Sequence, residues 1–185
     1  CHWSRTFAVG GGIAVIPRSP RGRFPKGFVL YQEGNAITID ADDPNIQLSD
    51  EAVVVTGPPA SPKLGFDSHV GWLAYLAPTD QLFVKRYRTF PDRAYNEFAA
   101  LTASVWYPQG DMVEMEPIGP AENLRPGEKA NFTEEWWLMP HQFPADVKNF
   151  DYATIKRKVE RNSQPPAGGN RDVTSPVVNA NQSVT

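Results

Sequence analysis

The chain has 185 residues, enough for one ordinary domain with its own core and little more. Its 18 basic and 21 acidic residues give a formal net charge of −3, which argues against a nucleic-acid partner, since such proteins usually carry a clear basic excess. No apolar run approaches the roughly 18 residues that a membrane-spanning helix needs, and one cysteine with three histidines excludes an internal disulfide and a cysteine-rich zinc module.

In chain order the pattern is mostly β. Residue 1 is Cys1 rather than Met, which fits either a processed lipoprotein or a stretch whose beginning precedes residue 1. Trp3–Ala8 and Gly12–Ile16 alternate like strands around Gly10-Gly11-Gly12, and the expectation is a hairpin. The triple glycine lacks the spacing of a phosphate cradle. A basic, proline-rich stretch from Pro17 to Pro25 breaks regular structure. Phe28–Tyr31 and Ala36–Ile39 form a second hairpin candidate, Asp40–Asp50 an acidic loop, and Ala52–Thr56 a short buried strand. After the turn-rich loop Gly57–Ser68, Val70–Ala77 and Gln81–Arg88 make the strongest hairpin. If Leu76 pairs with Leu82, then Trp72 lies opposite Arg86 and Leu73 opposite Lys85. Asp92–Ala100 has room for a helical turn or two. Thr102–Tyr107 and Asp111–Glu116 are strands around Pro108-Gln109-Gly110, and Glu128–Met139 closes the β pattern before Pro140. Residues 141–161 read as a helix or docking arm with loose helical spacing, and residues 162–185, polar and without aromatics, as a flexible tail.

Glu114 and Glu116 sit two apart on one strand, so they project from one face while Val113 and Met115 project from the other. Neighbouring carboxylates repel, one pKa rises, and a group poised near neutral pH suits acid–base work. The same pattern also serves as plain surface charge. Lys63, Lys85 and Arg86 are candidates to pair with these carboxylates or to hold an anionic substrate; Lys85 and Arg86, being adjacent, cannot both share one site. Trp72 and Trp106 are candidate sugar platforms, because an indole offers an apolar face and an N–H donor; core packing is the alternative. His69 is a candidate acid. No HExxH, paired-histidine, GxGxxG, Walker or GxSxG pattern is present, so no metal or cofactor is expected. Asn131-Phe132-Thr133 and Asn181-Gln182-Ser183 fit glycosylation sequons, which count only in a secreted eukaryotic chain.

Several blocks, HWSRTF with GGGIAVIP, KLGFDSHVGWLAYL, QLFVKRY, DMVEMEPIGPAENLRPGE and EEWWL, together resemble a bacterial family known as domain of unknown function 4380, which looks like a branch of the galactose-mutarotase-like superfamily. The resemblance covers about residues 2 to 139. It implies an all-β fold, the later portion of a large antiparallel β-sandwich (supersandwich) over residues 1–140, with a sugar site on a sheet face. It also implies that the earlier half of such a sandwich precedes Cys1, leaving strand edges unpaired. In mutarotases a glutamate takes the proton of the anomeric hydroxyl and a histidine protonates the ring oxygen. By position the glutamate role falls on Glu116 or Glu114, with Glu116 favoured because Pro117 follows it. The acid histidine belongs to an earlier part of that fold, so His69 is not its equivalent. The expected partner is a carbohydrate. Three functions follow as alternatives: a mutarotase-like isomerase acting on a sugar or sugar acid, a non-catalytic carbohydrate-binding module, and a structural sandwich.

Overall fold

The computed structural model describes residues 1–33 and 36–163. Twelve strands are arranged as two antiparallel six-stranded sheets: β1 (Thr6–Val9), β2 (Ile13–Pro17), β3 (Val29–Tyr31), β4 (Ile37–Thr38), β5 (Ile46–Leu48), β6 (Ala52–Val55), β7 (Lys63–Phe66), β8 (Trp72–Ala77), β9 (Gln81–Tyr87), β10 (Ala103–Trp106), β11 (Met112–Pro117) and β12 (Glu134–Pro140). The first sheet runs β1-β11-β10-β7-β3-β4, and the second runs β12-β9-β8-β2-β6-β5. The fold is an all-β sandwich. Its core draws Leu30, Leu64, Phe66, Val105, Val113 and Met115 from the first sheet against Ile16, Val53, Val55, Leu73 and Tyr75 from the second. These residues recur at every second position, the period at which a strand returns to the same face.

The β8–β9 hairpin has the expected register, with Trp72 opposite Arg86, Leu73 opposite Lys85 and Leu76 opposite Leu82. The β3–β4 and β10–β11 hairpins also form. The triple glycine is different. β1 pairs with β11 in the first sheet and β2 with β6 and β8 in the second, so Gly10-Gly11-Gly12 carries the chain across the sandwich and closes no hairpin. Two tyrosines fix that crossing. Tyr75 Oη accepts from Gly12 N at 2.8 Å and donates to Val9 O at 2.6 Å. Tyr107 Oη donates to Gly12 O at 2.8 Å. A Cβ on Gly12 would lie 2.6 Å from Tyr75 Oη and overlap Leu76 O, so only glycine fits there.

Three other expectations change. Asp40–Asp50 contains β5, which pairs with β6. Asp92–Ala100 forms turns instead of a helix. Residues 128–133 stay outside the last strand. Just before them, Arg125-Pro126-Gly127-Glu128 make a tight turn with Gly127 at φ 87°, where Glu128 N donates to Arg125 O at 3.0 Å and the Glu128 carboxylate accepts from Arg125 N at 2.8 Å. Proline followed by a positive-φ glycine is the chemistry of a type II turn.

The sandwich and its following turn end at Phe150, and the described residues from Asp151 onward form a second unit. Its helix α1 (Tyr152–Ser163) begins at Asp151, whose Oδ1 accepts from Thr154 N at 3.2 Å in the manner of an N-cap. The expected tail from residue 164 onward lies outside the described residues; Asn162 and Ser163 belong to α1. Among the described residues no helix is long and apolar enough to cross a membrane.

Candidate functional site

The face of the first sheet turned away from the sandwich core carries the residues of interest. Val113 and Met115 of β11 enter the core, which leaves Glu114 and Glu116 on the opposite face. Registered pairs set their neighbours. Glu114 lies between Phe7 of β1 and Trp106 of β10, Trp106 lies beside Lys63 of β7, and Glu116 lies beside Ser104. The segment before β1 adds Trp3, bridged to Ile118 on this same sheet, and Arg5.

Glu116 is fully buried and is held from three sides. Its Oε2 accepts from Trp3 Nε1 at 2.8 Å and from Lys63 Nζ. Its Oε1 faces Arg5 Nε at 3.6 Å. Arg5 Nε also stands 3.7 Å from Glu114 Oε2, and the Lys63 ammonium lies 5.2 Å from the Trp3 ring centroid. Glu114 reaches the surface with 8% of its area, and Arg5 and Trp3 are far more open. A ligand arriving from solvent therefore meets Glu114 and not Glu116.

The two carboxyls are driven apart in acidity. Burial lifts the Glu114 pKa above the ordinary carboxylate range, and a hydrogen bond to Glu116 together with the Glu116 charge lifts it further, against Arg5 and Lys63. Burial also acts to raise Glu116, but hydrogen bonds from Glu114, Lys63 and Trp3 and the Lys63 charge outweigh it, so Glu116 sits below its usual range. Glu114 therefore takes up a proton at higher pH than Glu116 does.

The rest of this face is covered. Leu101 lies directly on Gly65, where a Cβ would overlap the leucine side chain. Val29, Tyr95, Leu101 and Ile118 form a small second core there. The Tyr31 hydroxyl donates to Glu97, which also accepts from Ala99 N at 2.8 Å. Burial, then Glu97, raises the Tyr31 pKa, so the phenol stays neutral. On the β1 side of the face Trp3 and Phe7 are exposed, and beside them Glu114 reaches the surface at its margin.

The structure brings Lys63, Trp106, Glu114 and Glu116 together and leaves the other expected site residues elsewhere. Trp72 and Arg86 face each other on the second sheet, and Arg86 stacks over Trp137 at 5.0 Å with Glu135 3.8 Å away. Lys85 points inward between the sheets. It is wholly buried, 3.0 Å from Glu134 Oε2, and its Nζ donates to Thr6 Oγ1 at 2.7 Å and to Met115 O at 3.3 Å. It approaches Glu116 only from the far side of β11. His69 follows β7 in the loop beside Asp67, with its ring edge-on to Tyr95 at 6.0 Å; burial lowers its pKa. Trp3 and Arg5 are the site residues missing from the sequence expectation. Their signal is the alternation Trp3, Arg5, Phe7 along one strand face, but nothing local says that this strand lies against Glu114. Among the described residues no group of three His, Cys, Asp or Glu side chains could hold a metal ion. Comparison with protein-family models, with curated proteins and with solved structures returns no match to the chain.

Proposed function

We propose that the open part of the first sheet's outer face binds a sugar and that Glu114 exchanges a proton with it, in mutarotase-like interconversion of anomers. The observation that carries the reading is the proton-sharing carboxyl pair set among indoles and cations. Trp106 stands in register between Glu114 and Lys63, so a ring stacked on the indole has a carboxyl on one side and an ammonium on the other.

Anomer exchange needs one group to take the proton of the anomeric hydroxyl and another to deliver a proton to the ring oxygen. The bond from the anomeric carbon to the ring oxygen then breaks, the aldehyde turns, and closure reverses the transfers. Glu114 suits the first role in its carboxylate form, because its raised pKa makes that carboxylate a stronger base than an ordinary one and it alone of the pair reaches the surface. Lys63 supplies the N–H on the other side. Glu116 serves as the fixed charge that sets the Glu114 proton. This moves the favoured role from Glu116, the expectation of the resemblance, to Glu114.

The test is exchange NMR of the two anomers on a panel of aldoses and uronic acids. Acceleration that falls about a hundredfold or more in Glu114→Gln supports the reading. Binding without acceleration, lost in Trp106→Ala, leaves the non-catalytic carbohydrate-binding module in its place. Neither binding nor acceleration across the panel sinks both readings and returns the sandwich to a structural role.

A further inference from the structure

Lys85 is wholly buried between the sheets beside the Glu134 carboxylate. Such a pair is a poor choice for stability alone. Taking two charges out of water is costly, and apolar residues of similar volume often do as well or better. The best-attested use of a buried polar group is to fix register.

The contacts of Lys85 fall in a pattern. Its Nζ donates to Thr6 Oγ1 at 2.7 Å, to Ser4 Oγ at 3.3 Å and to Met115 O at 3.3 Å, and it stands 3.0 Å from Glu134 Oε2. The centroid of the Trp136 ring lies 5.4 Å away. Every contact on the first sheet is the immediate neighbour of site residues. Ser4 lies between Trp3 and Arg5, Thr6 follows Arg5, and Met115 lies between Glu114 and Glu116. Successive residues of a strand turn to opposite faces, so an ammonium that holds positions 4, 6 and 115 from inside sets positions 3, 5, 114 and 116 outside.

The segment so held has few other restraints. Trp3 and Arg5 precede β1, an edge strand of four residues that is paired on one side only. The backbone contributes the Trp3–Ile118 bridge and a bond from Ser4 N to Pro117 O at 3.1 Å. Main-chain bonds alone specify register weakly; side chains that belong to one face specify it. A slip by one residue in either direction would turn Arg5 towards the ammonium. A slip by two would bring His2 or Ala8 to a place that Ser4 or Thr6 now fills, and neither offers a hydroxyl.

We propose that Lys85 is a positioning residue: held by Glu134, its ammonium fixes the register of the N-terminal segment on β11 and so places Trp3 and Arg5 on the Glu114–Glu116 pair. Lys85 acts through those two residues and touches no ligand. The role is the same whatever ligand the outer face takes.

Two variants test it. Lys85→Met with Glu134→Leu removes the ion pair without changing net charge, and urea unfolding checks that its stability stays near that of the parent. Ser4→Ala with Thr6→Val removes the hydroxyls and keeps both core charges in place, so any shift there comes from position alone. In both variants the Lys63 ammonium, the other cation facing the pair, is untouched. Arg5 lowers the Glu114 titration, and the Trp3 N–H lowers that of Glu116. Carboxyl-labelled NMR should therefore find each carboxyl titrating about half a pH unit or more higher in both variants. Arg5→Gln, which raises the Glu114 titration in the parent chain, should do so by less than about half as much in the background of either variant. A folded variant in which both carboxyls titrate as in the parent, or in which Arg5→Gln acts with its full effect, overturns the proposal. If the core variant does not fold, the hydroxyl variant decides by the same two readings.

Discussion

Because Glu114 is held above the ordinary carboxylate range by burial and by Glu116, the folded chain keeps a proton there that the unfolded chain has already released. Over that window the native state binds more protons, so stability falls as pH rises. Glu116 has the opposite sign: its lowered pKa contributes stability above the usual carboxylate range, lost as pH drops through its own titration. A carboxyl-labelled NMR titration should therefore resolve Glu114 titrating above Glu116, and Glu114→Gln should remove the pH-dependent loss on the alkaline side of the carboxylate range. A Glu114 that titrates at or below Glu116 would contradict the proton assignment. Lys85 makes a second residue-scale test. Burial lowers its pKa, and Glu134 beside it opposes that effect. Lys85→Met leaves the Glu134 carboxylate without its ammonium and should cost about 3–5 kcal/mol in urea unfolding, whereas Lys85→Met with Glu134→Leu should recover most of it. The pairing of Glu114 with Glu116 on one face was legible from their spacing alone. Which sheet face Lys85 occupies was not, because that depends on which side of β9 the other sheet packs.

At the scale of elements, local alternation and turn residues foretold the β8–β9, β10–β11 and β3–β4 hairpins, down to the register of the first. Each is closed by a short connection, so the information lies within a few residues. Gly10-Gly11-Gly12 looked like another such turn and is a passage between sheets, because the partner of β1 is β11 and not β2. A glycine run reports close approach or unusual φ without saying to what: Gly11 has φ 82°, and Gly12 meets Tyr75 and Leu76. Gly12→Ala should cost about 2–4 kcal/mol through overpacking against a fixed carbonyl and ring. Tyr107→Phe, which leaves the buried Gly12 carbonyl without its donor, should cost about 1–3 kcal/mol. Both are read from denaturant midpoints at unchanged m-value. A Gly12→Ala variant as stable as the parent would mean that the crossing is looser than these distances imply. β5 was hidden in an acidic loop because three half-exposed residues leave too little alternation to see.

For the molecule as a whole, the site is a property of the closed sandwich. Trp3 and Glu116 are 113 positions apart, and Lys63 comes from between them. Such pairings demand long loops to be closed before any contact stabilises them, so folding should proceed in milliseconds to seconds, as is usual for sandwiches of this kind. A stopped-flow refolding phase in microseconds would contradict that. The all-β class and the mutual position of Glu114 and Glu116 could be read in advance, while the contribution of the N-terminal segment could not, since sheet order is decided by distant pairing. One contact has an optical consequence. The indole N–H of Trp3 is tied to the Glu116 carboxylate while 40% of the residue stays open to water. Its fluorescence therefore reports the charge and hydration of the carboxyl pair directly. Acidification through the Glu116 titration should therefore shift the emission of the parent chain more than that of a Trp3→Phe variant, which keeps the other four tryptophans. The fold thus carries its own native dye beside the carboxyl pair.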